Sequence, residues 1–369
     1  MKNRSIGVED LELETSKTDK TSETSEDQIE NRRSSFRVFY KKYSTLLYIL
    51  TIFYSVAITL WLVLDEIFYL INFGIIGTSI GLGFGLWPVF KRSKKHIARR
   101  ISQVLVGGYM FFGLGFGLIY LIWGYIQPEN MQLEGFWFWL LAGQFAAGVI
   151  HYSIAKIFGP TLFGRGWCGW TCWTAAILDL LPWKKSPGRK KLWGHLRYVL
   201  FILSTLLVII LVFVFNYTLS STTGILDFTG SYSGPDLKSS IFQIHEFWWF
   251  FIGNLFYFAV GIALAIVLKD NRAFCKYVCP IVPLMKVGSR ASIMKIAVDT
   301  EKCIQCGACE KACPMDIKIL TYADKSSRVT STECIQCMEC ISVCPKSAIK
   351  ETFRFDIGFK EYLKLKEAS

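Results

Sequence analysis

The feature that most constrains this sequence is a cysteine pattern that occurs twice toward its C-terminus. Each copy has the form C-x2-C-x2-C-x3-C-P, with Cys303, Cys306, Cys309 and Cys313 in the first copy and Cys334, Cys337, Cys340 and Cys344 in the second. A cubane 4Fe–4S cluster needs four thiolates, and the first three cysteines of such a run can surround one cluster. The fourth cysteine binds the neighbouring cluster. The spacing therefore predicts two 4Fe–4S clusters held by interleaved ligands.

Because the fourth cysteines cross over, each cluster draws ligands from both copies of the pattern. Cluster 1 is expected to use Cys303, Cys306, Cys309 and Cys344, and cluster 2 to use Cys334, Cys337, Cys340 and Cys313. The alternative is a zinc site or a disulfide scaffold, but zinc ribbons use two C-x2-C pairs and not triplets. The two runs resemble bacterial two-cluster ferredoxins over residues 297–350. That resemblance implies a small α+β domain that carries electrons and performs no bond chemistry by itself.

The rest of the chain has the composition of a membrane protein. Of its 369 residues, 52% are hydrophobic and 15% are aromatic, and the mean hydropathy is +0.35. A membrane-spanning helix needs about 20 predominantly apolar residues. Six stretches meet this need, at residues 43–64, 67–90, 101–126, 136–158, 198–217 and 247–268. The predicted fold is a membrane α-helical domain of about six transmembrane helices, followed by the ferredoxin domain.

The distribution of lysine and arginine predicts the orientation in the membrane. Basic residues concentrate before the first stretch, between the second and third, and between the fourth and fifth, whereas the alternate loops are mainly acidic. Cytoplasmic loops carry such an excess of basic residues. The prediction is a multi-pass protein of the cytoplasmic (inner) membrane with both termini in the cytoplasm. All 12 cysteines then face a reducing compartment, which disfavours disulfides. The net charge of +12 follows from this asymmetry, so no nucleic-acid partner is expected.

These patterns divide the chain into five segments. Residues 1–31 carry nine acidic and four basic side chains and few apolar ones, which predicts a disordered cytoplasmic tail. Two transmembrane helices follow in residues 43–90, and a four-helix membrane core in residues 101–290. The ferredoxin domain takes residues 297–350. Residues 351–369 are expected to form an amphipathic tail, with a short helix at 353–366 that packs on its own domain or lies on the membrane.

A second set of cysteines lies in the membrane core. Cys168 and Cys172 follow the fourth apolar stretch, and Cys275 and Cys279 follow the sixth, each pair within the pattern Arg-x-aromatic-Cys-x-aromatic-x-Cys. Two copies in the same orientation predict a pseudo-twofold axis along the membrane normal. Residues four apart share one face of a helix, so the axis can bring the four thiols together. We predict a metal site there, most simply iron–sulfur. Separately packed thiols and two redox-active dithiols are the alternatives.

In the combination of these motifs, the chain resembles the NapH-type polyferredoxins of periplasmic nitrate reductase systems. The nitrous oxide regulators (NosR) and the copper-handling accessory proteins of cytochrome oxidase assembly (CcoG) share the same elements. The resemblance covers residues 101–350 and rests on the two C-x3-C motifs combined with the two-cluster ferredoxin. One departure is Trp173, which stands where the family has proline after the first motif. The two apolar stretches before residue 101 are additional to the four-helix core of the NapH type.

The resemblance implies electron transfer between the quinone pool, or a cytoplasmic donor, and a partner reductase. We therefore expect an electron-transfer subunit of an oxidoreductase system and not a stand-alone enzyme. Two other hypotheses remain, a copper-reducing or oxidoreductase-assembly accessory protein and a redox-sensing regulator. His151, near Lys156 in the fourth apolar stretch, is a candidate for a quinone or proton site because ionisable residues at membrane depth are commonly functional. The alternative is a histidine satisfied by a neighbouring helix.

Overall fold

A computed structural model gives the fold of most of the chain. It describes residues 39–40, 42–63, 65, 67–118, 132–141, 147–215, 240–325, 327–358 and 360–366, with the side chains of 93, 147, 148, 150 and 240–246 left aside. The predicted tail at residues 1–31 lies outside the described residues. So does the loop of residues 218–239, which belongs to the segment expected outside the cytoplasm.

Four helices of the described part of the chain are long and apolar enough to cross a membrane. They cover Lys42–Val63, Ile67–Gly85, Leu192–Phe213 and Phe247–Leu268. We name α1 Lys42–Val63 and α2 Ile67–Ile80, which continues as a π-helix over Gly81–Gly85. Their apolar side chains face outward, as in Val63, which is 73% exposed. An outward apolar surface is what contact with lipid requires.

The predicted third and fourth spans are helical where the structure describes them. Helix α3, Lys95–Gly108, continues as a π-helix over Tyr109–Gly115. In the fourth, α4 is Leu133–Leu141 and α5 is Ala147–Tyr152, followed by a π-helix at Ser153–Phe158. Residues 119–131 and 142–146, which complete these two spans, lie outside the described residues. The described helices therefore support a membrane-associated protein with four candidate spanning helices, and the prediction of six spans stays a prediction.

Short helices connect the membrane helices to one another and to the ferredoxin domain. After the fourth span come α6 Gly159–Phe163, α7 Gly166–Trp170 and α8 Trp173–Leu178. Helix α9 is Leu196–Phe213 and α10 is Ser240–Leu268. Two more short helices follow, α11 Ala273–Tyr277 and α12 Ile281–Ser289. In both halves, short helices that carry the cysteine motif thus follow an apolar helical segment.

Glycine strings inside the membrane helices bring neighbouring backbones close together. A Cβ atom at Gly83 would overlap Ser102 of α3, and one at Gly115 would overlap the ring of Phe250 in α10. Small residues at such crossings let membrane helices approach closely. Aromatic and aliphatic side chains fill the remaining space, and the rings of Phe136 and Tyr152 stack with their centroids 4.9 Å apart.

The ferredoxin domain is a small α+β unit, as predicted. Strand β1, Met294–Val298, pairs antiparallel with β2, Ile349–Phe353. Its three short helices are α13 Ala308–Ala312, α14 Ile319–Asp324 and α15 Glu339–Val343. The apolar core of the domain consists of aliphatic residues from these elements and several of the cysteines. Cysteines and aliphatic side chains thus share one core in this domain.

The prediction of a helix at residues 353–366 is wrong. Residue 353 ends strand β2, and the chain then runs extended along the ferredoxin domain. It forms isolated bridges from Leu363 to Ile317 and from Leu365 to Arg189. The backbone groups of this segment pair with existing edges of the protein, and Tyr362 packs on Tyr322 with ring centroids 4.9 Å apart. Tyr362 and Leu363 pack on the core of the domain, whereas Phe353, Phe355 and Ile357, at the start of the segment, are 65%, 66% and 56% exposed.

Candidate functional site: three four-cysteine sites

The two cysteine loops of the ferredoxin domain repeat the same backbone conformation. Gln305 and Gln336 occupy equivalent places between the first two cysteines, and both have positive φ, 52° and 51°. Gly307 and Met338, with φ of 70° and 59°, precede the helices that carry the third cysteine of each loop. Left-handed residues turn the chain sharply. The loops therefore curl so that their cysteines face inward.

The first loop surrounds a cavity of about 310 Å³, which we name the outer site. Its four cysteines are Cys303, Cys306, Cys309 and Cys344. Cys306 is exposed to solvent, whereas Cys309 and Cys344 are buried. The crossing cysteine, Cys344, lines this cavity even though it belongs to the second loop in sequence, which is the arrangement that the spacing predicts.

The second loop surrounds a cavity of about 390 Å³, which we name the inner site. Its four cysteines are Cys313, Cys334, Cys337 and Cys340, and none of them is exposed. Burial raises the pKa of the Cys334 and Cys337 thiols to about 12 each. Thiols with such pKa values are protonated at neutral pH, so ligation of a metal would release protons.

The four cysteines of the membrane core surround a third cavity of about 600 Å³, which we name the membrane-side site. Cys168, Cys172, Cys275 and Cys279 all line it. The structure thus brings together two motifs that lie 107 residues apart in sequence, as the predicted axis requires. Each of the 12 cysteines in the chain is a free thiol, and together they surround three cavities in sets of four. Among the described residues, no group of three or more His, Cys, Asp or Glu side chains is placed to hold a single metal ion.

The two membrane-core motifs have the same local hydrogen bonding. In the first, the N–H groups of Thr171 and Cys172 both donate to the carbonyl of Trp167, at 3.0 and 3.1 Å. In the second, Val278 and Cys279 both donate to the carbonyl of Phe274, at 2.9 and 3.0 Å. A widened last turn therefore ends both short helices at the same place in the motif.

The prediction that each cysteine pair shares one helix face is wrong in its geometry. Cys168 lies in α7 and Cys275 in α11, but both helices end before the second cysteine of the motif. Cys172 has extended backbone angles and precedes α8. The widened turn, and not a continuous helix, aims the second thiol into the cavity. The substitution of tryptophan for proline has a visible effect too, since α8 begins at Trp173 whereas α12 begins one residue after Pro280.

The membrane-facing wall of this cavity carries polar side chains. Tyr152, Lys156 and Tyr257 line it, and Lys156 is only 4% exposed. The π-helix over Ser153–Phe158 carries Lys156 inward, where its Nζ lies 4.2 Å from the ring centroid of Trp167. Such wide turns are frequent at functional sites. The hydroxyls of Tyr152 and Tyr257 have no hydrogen-bond partner in the described part of the chain.

His151 does not line the cavity. Its ring packs against Trp167 with centroids 4.8 Å apart, and its Nε2 has no hydrogen-bond partner among the described residues. Trp167 thus lies between His151 and the cysteines, since the same indole lines the cavity. Its role as a quinone or proton residue stays a prediction, and Lys156 is the ionisable group that reaches the cavity itself.

A buried carboxylate joins the ferredoxin domain to the membrane core. Glu333, directly before Cys334, forms ion pairs with four cations, namely Arg165, Arg189, Arg197 and Lys286. Burial alone would raise its pKa, but Arg189, Arg165 and Arg197 hold the pKa of Glu333 well below its usual range. Sequence reasoning missed this residue because a single acidic side chain beside a cysteine carries no signal of its partners.

A second network surrounds Asp179, which accepts hydrogen bonds from Arg99 at 2.7 Å and Arg272 at 2.6 Å. Burial raises the pKa of the nearby Cys275 thiol to about 11, and Arg272 acts against that increase. The motif arginine therefore favours the thiolate form of Cys275, as a nearby cation does. Burial outweighs this effect.

Backbone contacts fix the inner site against the membrane-side site. The indole N–H of Trp170 donates to the carbonyl of Gln336 at 2.7 Å. Gly169 lies so close to the second ferredoxin loop that a Cβ atom there would overlap the carbonyl oxygen of Ile335. Residues between Cys168 and Cys172 therefore touch residues between Cys334 and Cys337. The two sites are immediate neighbours, and the outer site lies beyond the inner one.

Comparisons with known proteins agree with these three sites. A family model described as a 4Fe-4S dicluster domain matches residues 295–345. A second, described as a 4Fe-4S binding domain, matches residues 153–192 and 251–296, which are the two halves of the membrane-side site. The chain contains two 4Fe–4S cluster-binding domains. The first carries its cysteines in ferredoxin-like spacing.

Three relatives span different parts of the chain. The uncharacterized proteins MJ0749 and MJ0750 of Methanocaldococcus jannaschii are 25% and 28% identical, covering 71% and 63% of this chain and 88% and 87% of their own lengths. The putative electron transport protein YccM of Escherichia coli is 38% identical over 68 residues, 18% of this chain and 19% of YccM. No solved structure matches the chain. The family models and the YccM match support an iron–sulfur electron-transfer function, and the four apolar helices suggest association with a membrane.

Proposed function

We propose that the protein passes electrons through three iron–sulfur sites between the cytoplasm and the membrane. The observation that carries this proposal is the meeting of Cys168, Cys172, Cys275 and Cys279 around one cavity. That cavity lies next to the inner ferredoxin site, through the contact of Gly169 with Ile335. An arrangement of outer, inner and membrane-side sites is a continuous route, whereas an isolated ferredoxin domain would need no fixed contact with the membrane core.

The residues present fit iron–sulfur clusters by their chemistry. Each of the three cavities is lined by four thiols, the ligand set that 4Fe–4S clusters take. The guanidinium of Arg165 lines the membrane-side cavity, and its Nε and Nη2 are buried without a hydrogen-bond partner among the described residues. Buried donors of this kind are costly unless an acceptor is present. An anionic, thiolate-held cluster would supply one, and when bound it would carry one electron at a time.

The outer site is the proposed place of exchange with a partner in the cytoplasm. Cys306 is exposed, and its neighbour Ile304 is 57% exposed. The inner site has no exposed cysteine, and its loop is covered by the first membrane-core motif. A soluble redox protein could approach the outer site closely but not the inner one. This supports a cytoplasmic donor or acceptor, or a partner reductase subunit, at the outer site.

The membrane-side site is the proposed place of exchange with a quinone or quinol. Support comes from Tyr152, Lys156 and Tyr257, which place two hydroxyls and one ammonium on the membrane-facing wall of its cavity. Groups that donate hydrogen bonds and protons suit the carbonyl oxygens of a quinone. His151 lies behind Trp167 and, in this proposal, exchanges protons without contacting the cavity directly. The multi-pass topology with both termini in the cytoplasm, and a role like that of NapH-type proteins, belong to the same proposal.

Quinol-driven reduction in membrane vesicles tests this function. Cys172→Ser and Cys279→Ser should stop electron exchange between quinol and the ferredoxin clusters while both ferredoxin EPR signals remain. Retained exchange at the wild-type rate would contradict the proposed route. A copper-reducing accessory protein would instead bind copper at these four cysteines, so copper titration of the metal-free protein separates the two functions.

A further inference from the structure

Each membrane-core motif carries an arginine three residues before its first cysteine, and both arginines are buried. Arg165 is 0% exposed and Arg272 is 1% exposed. They occupy equivalent positions, since each is the residue that precedes the short helix carrying the first cysteine. Burying two guanidinium groups is costly unless the surroundings compensate the charge. Their repetition at one place in two motifs indicates a role common to both halves of the site.

One side of the Arg272 guanidinium contacts the membrane-side site. The other side contacts a carboxylate. Its Nη1 donates to the carbonyl of Cys168 at 3.2 Å and lies 3.9 Å from the sulfur of Cys275. Its Nη2 donates to Asp179 at 2.6 Å. The Cys168 carbonyl that it contacts belongs to the motif that packs on the second ferredoxin loop, through Gly169 and Ile335. Its positive charge therefore lies between two sets of cysteines.

Arg165 has the same relationship to the other half of both sites. It lines the membrane-side cavity, and its Nη1 donates to the carbonyl of Thr332 at 3.4 Å, two residues before Cys334 of the inner site. Its Nη1 lies 2.9 Å from the carboxylate of Glu333. The outer site differs, because Lys346, which lines its cavity, is exposed, and Lys302 beside Cys303 has a side chain that is 64% exposed and forms an ion pair with Asp299. Charges in solvent act weakly over such distances.

We propose that Arg165 and Arg272 set the reduction potentials of the inner and membrane-side sites together, making both easier to reduce than they would be without this charge. This inference rests on the proposed function, because it assigns the arginines a role toward clusters at these cysteines. Reduction adds a negative charge to a cluster, and a buried cation nearby stabilises that added charge. The outer cluster lacks such a cation and is not affected. The arginines thus favour the reduced state of the clusters at the junction between the ferredoxin domain and the membrane core.

Potentiometric titration of the purified protein, followed by EPR, tests this role. Arg272→Gln should make the inner cluster at least tenfold harder to reduce, a change of about 59 mV for one electron. Arg272→Lys keeps the charge and should restore most of the wild-type potential. Lys302→Gln is the matched control at the outer site and should leave the inner potential unchanged. A soluble lanthanide chelate assigns the signals, because it broadens only the cluster near the exposed Cys306.

A variant that should shift the reduction potential in the opposite direction separates an electrostatic role of the arginines from a role in folding. Asp179→Asn removes the carboxylate that pairs with Arg272 and should make the inner cluster easier to reduce. If Arg272→Gln and Asp179→Asn both leave the potentials unchanged while the clusters are present, the arginines are structural ion-pair partners and the inference fails. If the wild-type protein shows no cluster EPR signals, the proposed function itself is overturned.

Discussion

Trp170 of the membrane core donates its indole hydrogen bond to the backbone carbonyl of Gln336 in the second ferredoxin loop, at 2.7 Å. Each residue lies between two cysteines of its own motif. A side chain from one cysteine motif therefore fixes the backbone of another. The contact turns two cluster-binding domains into one unit, in which the distance between the inner and membrane-side sites does not depend on a flexible linker.

Gly169→Ala should weaken this junction. The new methyl group would overlap the carbonyl oxygen of Ile335, and a backbone atom cannot move aside as a flexible side chain can. Overpacking of this kind costs about 1–3 kcal/mol. We expect a lower thermal unfolding midpoint and slower electron exchange between the ferredoxin clusters and quinol. The matched control is Gly108→Ala at the end of α3, where a Cβ atom meets nothing within 4 Å. Equal behaviour of the two variants would contradict the role of the contact.

Glu333→Gln should destabilise the same junction by a different route. The change leaves Arg165, Arg189, Arg197 and Lys286 without the carboxylate that they share. Removing one member of a buried ion pair costs about 3–5 kcal/mol. Denaturant unfolding of the cluster-loaded protein in detergent measures the loss. A loss below 1 kcal/mol would show that the cations are compensated by other groups.

The same carboxylate predicts a pH dependence. The pKa of Glu333 is lower in the folded protein than in the unfolded chain, where it has its ordinary value of about 4.3. Its contribution to stability is therefore complete above about pH 4.3 and is lost as the pH falls through the lowered folded value. Wild-type stability should fall over this acidic range more steeply than that of Glu333→Gln. Parallel pH profiles would contradict the assignment.

Cys313→Ala should remove the inner cluster and not the outer one. Although Cys313 belongs to the first cysteine run, it lines the inner cavity with Cys334, Cys337 and Cys340. The remaining EPR signal should still broaden with a soluble lanthanide chelate, because the outer cluster lies at the exposed Cys306. Cys344→Ala should give the reverse result. If Cys313→Ala eliminates the broadened signal instead, the exchange of ligands between loops is wrong.

The spacing made the grouping of the cysteines into sets of four predictable from sequence, because a cluster dictates where thiols must lie. The convergence of Cys168 with Cys275 followed from the repeat in the same way. The helix expected at residues 353–366 failed because the segment pairs its backbone with existing edges of the protein, while apolar residues such as Phe355 and Ile357 stay exposed. Glu333 and Asp179 were not predictable, since ion pairs between distant segments depend on tertiary packing. Lys156 was seen only as a neighbour of His151, because the π-helix that directs it inward leaves no signal in the sequence.

Reporter fusions should confirm the predicted orientation. Fusions at residue 1, in the loops of residues 91–100 and 184–191, and at the C-terminus should report the cytoplasm. Fusions in the loop of residues 218–246 should report the opposite side of the membrane. The reason is the concentration of lysine and arginine in the first set of segments. A C-terminus outside the cytoplasm would place all three cysteine sites in the wrong compartment for the proposed electron route.

The central claim is that a third cluster binds at the membrane-side site. Iron analysis combined with EPR tests this claim most directly. Protein purified without oxygen should contain about twelve iron atoms per chain, corresponding to three 4Fe–4S clusters. Replacing Cys168, Cys172, Cys275 and Cys279 with serine should lower this to about eight while both ferredoxin signals remain. An iron content and a spectrum that the four substitutions leave unchanged would contradict the claim.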